Sequence, residues 1–188
     1  MIDLTIVILT KNEEKNLPKC ILSFGDIPSR FVVVDSYSTD GTLEVCEQMR
    51  VELAEKGIVL DIFQHPFVSH ADQFNWALDN ANITTSWTMR IDADEELTEG
   101  LAGEFQEMLP SLPESVKGIN LRRRVYFMGK WIRHGGCYPV ILLRVFRTGC
   151  AHCENSLMDE HIDLDEPGEL VTFRNDFSDY NTKSLEWW

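Results

Sequence analysis

No apolar run in this 188-residue chain approaches the roughly 18 residues that a membrane-spanning helix needs, so a soluble globular protein is expected. Nor is there a basic start followed by an apolar stretch and a small-residue cleavage site. Met1 leads almost directly into a strand-like run, so the cytoplasm is the expected location and export is not. The five cysteines, Cys20, Cys46, Cys137, Cys150 and Cys153, are odd in number and scattered, which excludes a disulfide framework and favours buried, inert thiols. Cys150-Ala-His152-Cys153 has a spacing that can hold zinc, but only the isolated Cys137 and His161 could complete such a site. Repeats and low-complexity tracts are absent.

The chain is also short of positive charge. A net charge of −14 excludes nonspecific nucleic-acid binding, which needs a basic surface to displace counterions from phosphates. The deficit is uneven, however. From Ser115 to Cys153 there is no Asp or Glu, and Lys117, Arg122, Arg123, Arg124, Lys130, Arg133, Arg144 and Arg147 give that stretch +8, which leaves −22 on the remainder. Such a block either attracts a phosphorylated ligand or an anionic membrane surface, or simply pairs with the acidic half.

What is present reads as an α/β chain. Leu4–Leu9 and Phe31–Val34 are β-branched runs apolar on both faces, the pattern of strands covered on both sides in a parallel sheet. Asn16 before Leu17-Pro18 opens a helix running toward Gly25, and a second helix spans Thr42 to about Glu55. Further strands are expected at Ile58–Phe63 and Trp87–Ile91. A helix over His70–Ala81 places Phe74, Ala77, Leu78 and Ala81 on one face, and another is capped by Thr98 and stopped by Pro110 and Pro113. After that the alternation stops. Ile119–Phe127 and Val140–Phe146 look like strands joined through Gly135-Gly136 with no helix between them. The expectation is one domain over 1–188, with a parallel α/β half to about residue 112 and a mixed half from about 113. The polar segment after Pro167 reads as a tail, and Trp187-Trp188 suggest either a C-terminally truncated chain or a tail needing a partner surface.

In an open α/β sheet, ligands bind beyond the carboxyl ends of the strands, where loops and helix starts converge. Three polar clusters stand there: Thr10 to Glu13, Asp35 to Gly41, and Asp92 to Glu96. Taken singly each is ordinary turn or capping chemistry; jointly they point to a site. Asp92 and Asp94 are separated by one residue, so both carboxylates can face a common ligand, and hard oxygen ligands of this kind suit Mg²⁺ or Mn²⁺. Trp131 and Tyr138, near Lys130 and Arg133, are either core aromatics or a platform on which a sugar ring stacks.

The segments Thr5 to Glu13 (Thr-Ile-Val-Ile-Leu-Thr-Lys-Asn-Glu), Val32 to Thr42 (Val-Val-Val-Asp-Ser-Tyr-Ser-Thr-Asp-Gly-Thr), Gln73-x-Asn75 and Arg90 to Glu95 (Arg-Ile-Asp-Ala-Asp-Glu) resemble the GT-A glycosyltransferases of family 2 type. The resemblance covers about the first hundred residues. Gly129-x-Trp131, Leu142 to Arg147 and Met158 to Ile162 extend it more loosely toward a branch acting on bacterial surface polysaccharide or lipopolysaccharide core. It implies a three-layer α/β sandwich around a mostly parallel sheet with a mixed C-terminal half. It further implies an inverting, metal-dependent transfer of sugar from a nucleotide-diphospho-sugar, a UDP-sugar first, to a saccharide or lipid-linked acceptor, in the cytoplasm or peripherally at the inner face of the plasma membrane.

Carried onto this sequence, the resemblance implies that Thr10, Asn12 and Glu13 border the nucleoside and that Asp35 and Ser36 contact the base. Gln73, Asn75, Arg90 and Asp92 then lie near the donor, and Asp94, with Asp92, binds Mg²⁺ or Mn²⁺ at the diphosphate. Glu160 is the first choice of general base and Asp159 its competitor, while His161 completes the metal shell or holds the leaving phosphate. Two rivals remain. A nucleotidyltransferase of similar fold would be expected to carry a glycine-rich basic loop after the first strand, and Thr10 to Glu14 contains no glycine. The other rival is a non-catalytic carbohydrate or lipid-head-group binder on the same scaffold.

Overall fold

The computed structural model describes residues 1–154 and 160–181. Alternating strands and helices build its first half: β1 (Ile2–Thr10), α1 (Leu17–Ser23), β2 (Pro28–Asp35), α2 (Thr42–Glu55), β3 (Val59–Gln64), α3 (His70–Asn80) and β4 (Trp87–Asp92). A short β5 (Glu95–Leu97) and α4 (Glu99–Met108) follow, and then mainly strands: β6 (Val116–Phe127), β7 (Lys130–Trp131), β8 (Val140–Arg147), β9 (Ala151–Cys153), β10 (Ile162–Leu164) and β11 (Glu169–Asn181). Local chemistry accounts for the helix starts. Pro18 occupies the first turn of α1, where a missing N–H is harmless. Ser69 and Thr98 accept backbone N–H groups from Asp72 and Leu101 and so cap α3 and α4.

One nine-stranded sheet has the order β3-β2-β1-β4-β8-β6-β11-β5, with β7 paired to β6. The β3, β2, β1 and β4 strands are mutually parallel. The β8 strand runs antiparallel to both β4 and β6, so those two point the same way. Their carboxyl ends therefore open toward one rim.

Strand residues alternate between two cores. Leu4, Ile6 and Ile8 face α1, α2 and α4 together with Phe24, Phe31, Leu101 and Phe105. Val7 and Leu9 face α3 with Phe74, Ala77 and Phe146, and the small β9–β10 sheet packs on that side through Cys153 and Ile162. Two covered faces explain the doubly apolar runs of the sequence. The result is the expected three-layer sandwich around a mixed sheet.

The polar stretch after Pro167 is a strand, not a tail. β11 lies inside the sheet, parallel to β6 and antiparallel to β5, with Phe173 and Phe177 buried. Between Thr172 and Asp176 its register slips, and the bulge is held by the Glu104 carboxylate, which accepts the backbone N–H groups of Arg174 and Asn175. Trp187 and Trp188 lie outside the described residues. No helix among the described residues is long and apolar enough to cross a membrane.

Candidate active site

The loops after β1 and β2 are stitched together at the rim. Lys11 Nζ donates to the carbonyls of Ser36 (2.9 Å) and Tyr37 (2.6 Å), Asn12 Oδ1 accepts from Thr39 N (2.8 Å), and Glu14 Oε2 accepts from Gly41 N (2.8 Å). Asn12 adopts φ 57°, a left-handed conformation that asparagine tolerates better than most residues. Asp35 sits fully buried beneath this seam, where its carboxylate accepts from Thr10 Oγ1 (3.2 Å), Ser38 N (2.8 Å), Ser38 Oγ and Gln64 Nε2 (3.3 Å).

Above the seam opens a cavity of about 680 Å³. Thr10, Asn12, Glu13 and Ser36 line it from the two loops, Gln73 from α3, and Asp92 and Asp94 from the end of β4. The three polar clusters thus meet at one cavity. Asp35 and Asn75 stand behind it. Asn75 gives both ends of its amide to the β9 backbone, donating to Cys153 O and accepting from Cys153 N, each at 2.8 Å. Gln73 is 1% exposed and donates to Ser36 Oγ at 2.9 Å, while its Oε1 has no partner within the protein. An orphaned buried acceptor in a cavity wall is a position for a ligand N–H or O–H.

A second cavity of about 580 Å³ adjoins the first, and Asp92 and Arg123 line both. Its other walls include Arg90, Leu142, Arg144, Glu160 and His161. Arg90 leaves the middle of β4 almost fully buried, with its guanidinium 5.6 Å from the centre of the Phe74 ring. Its Nη2 lies 3.3 Å from Glu160 Oε1 and its Nε 3.6 Å from Asp92 Oδ1. His161 is exposed and its Nδ1 meets Glu154 at 3.2 Å. Asp159 lies outside the described residues.

The carboxylates of this region divide by their neighbours. Burial opposes ionisation of Asp92, but Arg90 and Arg144 hold its pKa below the usual range. Asp94 has no such support. Burial, then the negative charges of Asp179, Asp92 and Glu13, push it up to about 7. Glu95 accepts from Asp92 N (2.9 Å) and meets Arg144 Nη2 at 2.9 Å, a buried pair that fixes the turn carrying Asp94.

No group of three or more His, Cys, Asp or Glu side chains among the described residues is arranged to hold a metal ion, and the cysteine-histidine cluster is no exception. His152 pairs with Asp165, and Cys153 is turned inward against Arg90. Cys20, Cys46 and Cys153 are buried as expected, whereas Cys137 and Cys150 are half-buried. A divalent cation nevertheless suits Asp94 electrostatically. The carboxylate is short of positive charge, and such ions complete their shells with water and substrate phosphates.

Sequence reasoning missed Asp179, because the strand that carries it was read as a tail. It also missed Arg123 and Arg144 as site residues. A basic residue within an otherwise apolar strand, as Arg144 stands in Leu142 to Arg147, was the available signal. Part of the basic block does pair with acids: Arg123 with Asp179 (3.9 Å), Arg124 with Asp176 (2.6 Å), and Arg144 with Glu95.

Residues 5–156 match the profile of Glycosyl transferase family 2. The lipopolysaccharide core biosynthesis glycosyltransferase LpsC of Rhizobium meliloti (strain 1021) is 33% identical over 126 residues, covering 67% of this chain and 44% of LpsC. An uncharacterized glycosyltransferase of Rickettsia felis is 32% identical over 104 residues, covering 55% of this chain and 33% of that protein. The chain therefore spans less than half the length of these relatives. Among solved structures, S. aureus TarS 1-349 in complex with UDP-GlcNAc superposes with a TM-score of 0.65 at 13% identity, over 98% of this chain and 60% of that one. The mannosyltransferase PcManGT from Pyrobaculum calidifontis, in complex with GDP-Man and Mn²⁺, gives 0.53 at 23% identity, over 65% and 36%. These likenesses establish the fold as that of GT-A glycosyltransferases.

Proposed function

The chain belongs to glycosyl transferase family 2, and from that premise we propose that it moves a sugar from a nucleotide-diphospho-sugar to a saccharide or lipid-linked acceptor in cell-surface polysaccharide or lipopolysaccharide core synthesis. The observation that carries the reading is the pair of cavities sharing a wall of Asp92 and Arg123, one faced by the three motif loops and the other by Glu160.

The donor occupies the first cavity. Thr10, Asn12, Glu13 and Ser36 border the nucleoside, and the unpartnered Oε1 of Gln73 accepts a hydrogen bond from it. Asp35 and Asn75 act from behind, the one shaping the loop that presents Ser36 and the other anchoring β9 to α3. A UDP-sugar is the first choice, in keeping with the UDP-GlcNAc named for TarS; the GDP-Man of PcManGT makes GDP the comparison to run. Asp94, with Asp92, would hold Mg²⁺ or Mn²⁺, which when bound offsets the charge gathering on the departing diphosphate.

The acceptor hydroxyl enters from the second cavity. Glu160 takes its proton, and the freed oxygen lone pair attacks the anomeric carbon from the face opposite the diphosphate, so the configuration inverts. Arg90 holds Glu160 toward the shared wall. Asp159 is the competing base.

Calorimetric titration with UDP and with GDP, each with and without Mn²⁺, tests the reading. The expected result is metal-dependent binding of one nucleotide, abolished by Asp94→Ala. Binding indifferent to metal and to Asp94 would favour a non-catalytic binder and overturn it.

A further inference from the structure

We propose that the hairpin of β6 and β7 docks this protein on an anionic lipid bilayer, with Phe127 and Met128 entering the interface and Lys130 and Arg133 meeting the headgroups. Phe127 pairs with Lys130 across a two-residue turn in which Met128 has φ 50° and Gly129 φ 72°. Positive φ at both central residues is the geometry that favours Asn-Gly or Asp-Gly, and an apolar residue at the first position gains nothing from it. Met128 sits there all the same, 71% exposed, beside Phe127 at 39%. Among the described residues nothing covers this exposed apolar tip, which sits in a strained position.

Charge selects the occupant. The tip stands within the stretch from Ser115 to Cys153 that holds no Asp or Glu, in a chain of net charge −14. The carboxylates Asp176 and Asp179 that β11 brings beside β6 are paired with Arg124 and Arg123. Lys130 and Arg133 are exposed and have no ion-pair partner among the described residues. Arg133 lies over the Trp131 ring at 4.2 Å, a cation–π contact that holds this cation beside the tip. On an acidic molecule, a local basic cluster favours the orientation that leads with it toward an anionic surface.

The position agrees with the proposed chemistry. Arg123, on β6, lines the shared wall of the two cavities, and Phe127 is four residues further along the same strand, roughly 13 Å at strand rise. The tip thus projects past the mouth of the acceptor cavity, which is itself lined by the half-exposed Ile141. A bilayer met by the tip would face that mouth. This orientation rests on the proposed function; the lipid contact does not.

The test is co-sedimentation of the full chain with vesicles of phosphatidylethanolamine and phosphatidylglycerol, against vesicles of phosphatidylcholine alone. Binding to the anionic vesicles only is expected. Lys130→Ala and Arg133→Ala should each weaken it about fivefold, and Met128→Asp should remove it with an unchanged melting temperature and unchanged UDP titration. Three results would overturn the proposal: no anionic preference, a melting temperature lowered by Met128→Asp, which would show the tip packed against another part of the chain, or a change of oligomeric state in that variant without lipid, which would make the occupant a second copy. Because no donor is present in the lipid assay, its failure leaves the transferase reading standing, and the failure of UDP binding leaves the lipid contact standing.

Discussion

Asp94 is partly buried among the carboxylates of Asp179, Asp92 and Glu13 with no ion-pair partner among the described residues, and that imbalance is measurable before any substrate is known. Its pKa rises from an ordinary 3.8 to about 7, so the folded chain holds this proton to higher pH than the unfolded chain does. The native form then binds more protons between those values, and its contribution to stability is full below 3.8 and is lost as pH rises through about 7. The metal-free protein should accordingly gain more melting temperature from added Mn²⁺ at about pH 8 than at about pH 5, and Asp94→Asn should flatten the difference. Equal gains at both would disconnect Asp94 from the cation. Glu160→Gln should cut turnover by roughly 10²- to 10⁴-fold while leaving UDP affinity alone, both read on the purified enzyme. If turnover survives, the proton passes to Asp159 instead. Asp92 and Asp94 were legible from their one-residue gap after a buried strand taken together with the two other polar clusters, all of them local patterns. Asp179 was not, because its place depends on a strand returning from about eighty residues away.

Among elements, the β9–β10 sheet is the most dependent on a single side chain. Both hydrogen bonds from Asn75 to the Cys153 backbone are lost in Asn75→Ala, leaving a polar backbone pair without its partners at a cost of about 1–3 kcal/mol. Thermal unfolding should register that loss. Hydrogen exchange should show it concentrated at residues 151–153 and 162–164. Helix α4 has a comparable dependence at its start. Thr98→Ala removes the cap and a hydrogen bond to Asp176 O, and about 1 kcal/mol should disappear from the urea-unfolding free energy. The first-half strands and helices were readable because each announces itself locally, by β-branched runs or by a cap and an apolar face. β11 defeats that reading. Its two-faced period is broken by the bulge before Asp176, whose buried carboxylate pairs with Arg124 and Tyr138, and Asp179 is polar where the strand lines the first cavity. A strand of this kind looks like a loop to any rule that sees only neighbours in sequence.

For the whole molecule, the late strand matters more than its composition suggests. β11 supplies Phe173 and Phe177 to the core formed with α4 and closes the gap between β6 and β5. A chain stopped at Gly168 should therefore lose cooperative thermal unfolding, and Phe177→Ala in the intact chain should cost about 3–5 kcal/mol. A truncated chain that melts as sharply as the parent would mean that the first half folds alone.

The common wall of Asp92 and Arg123 has a kinetic corollary. If the proposed transfer is right, two chambers with one partition would bring donor and acceptor into the protein at the same time, and the sugar would need no covalent stopover on the enzyme. Initial velocities plotted in double-reciprocal form should then give intersecting lines. Parallel lines, the mark of a double displacement, are not what adjoining chambers would produce.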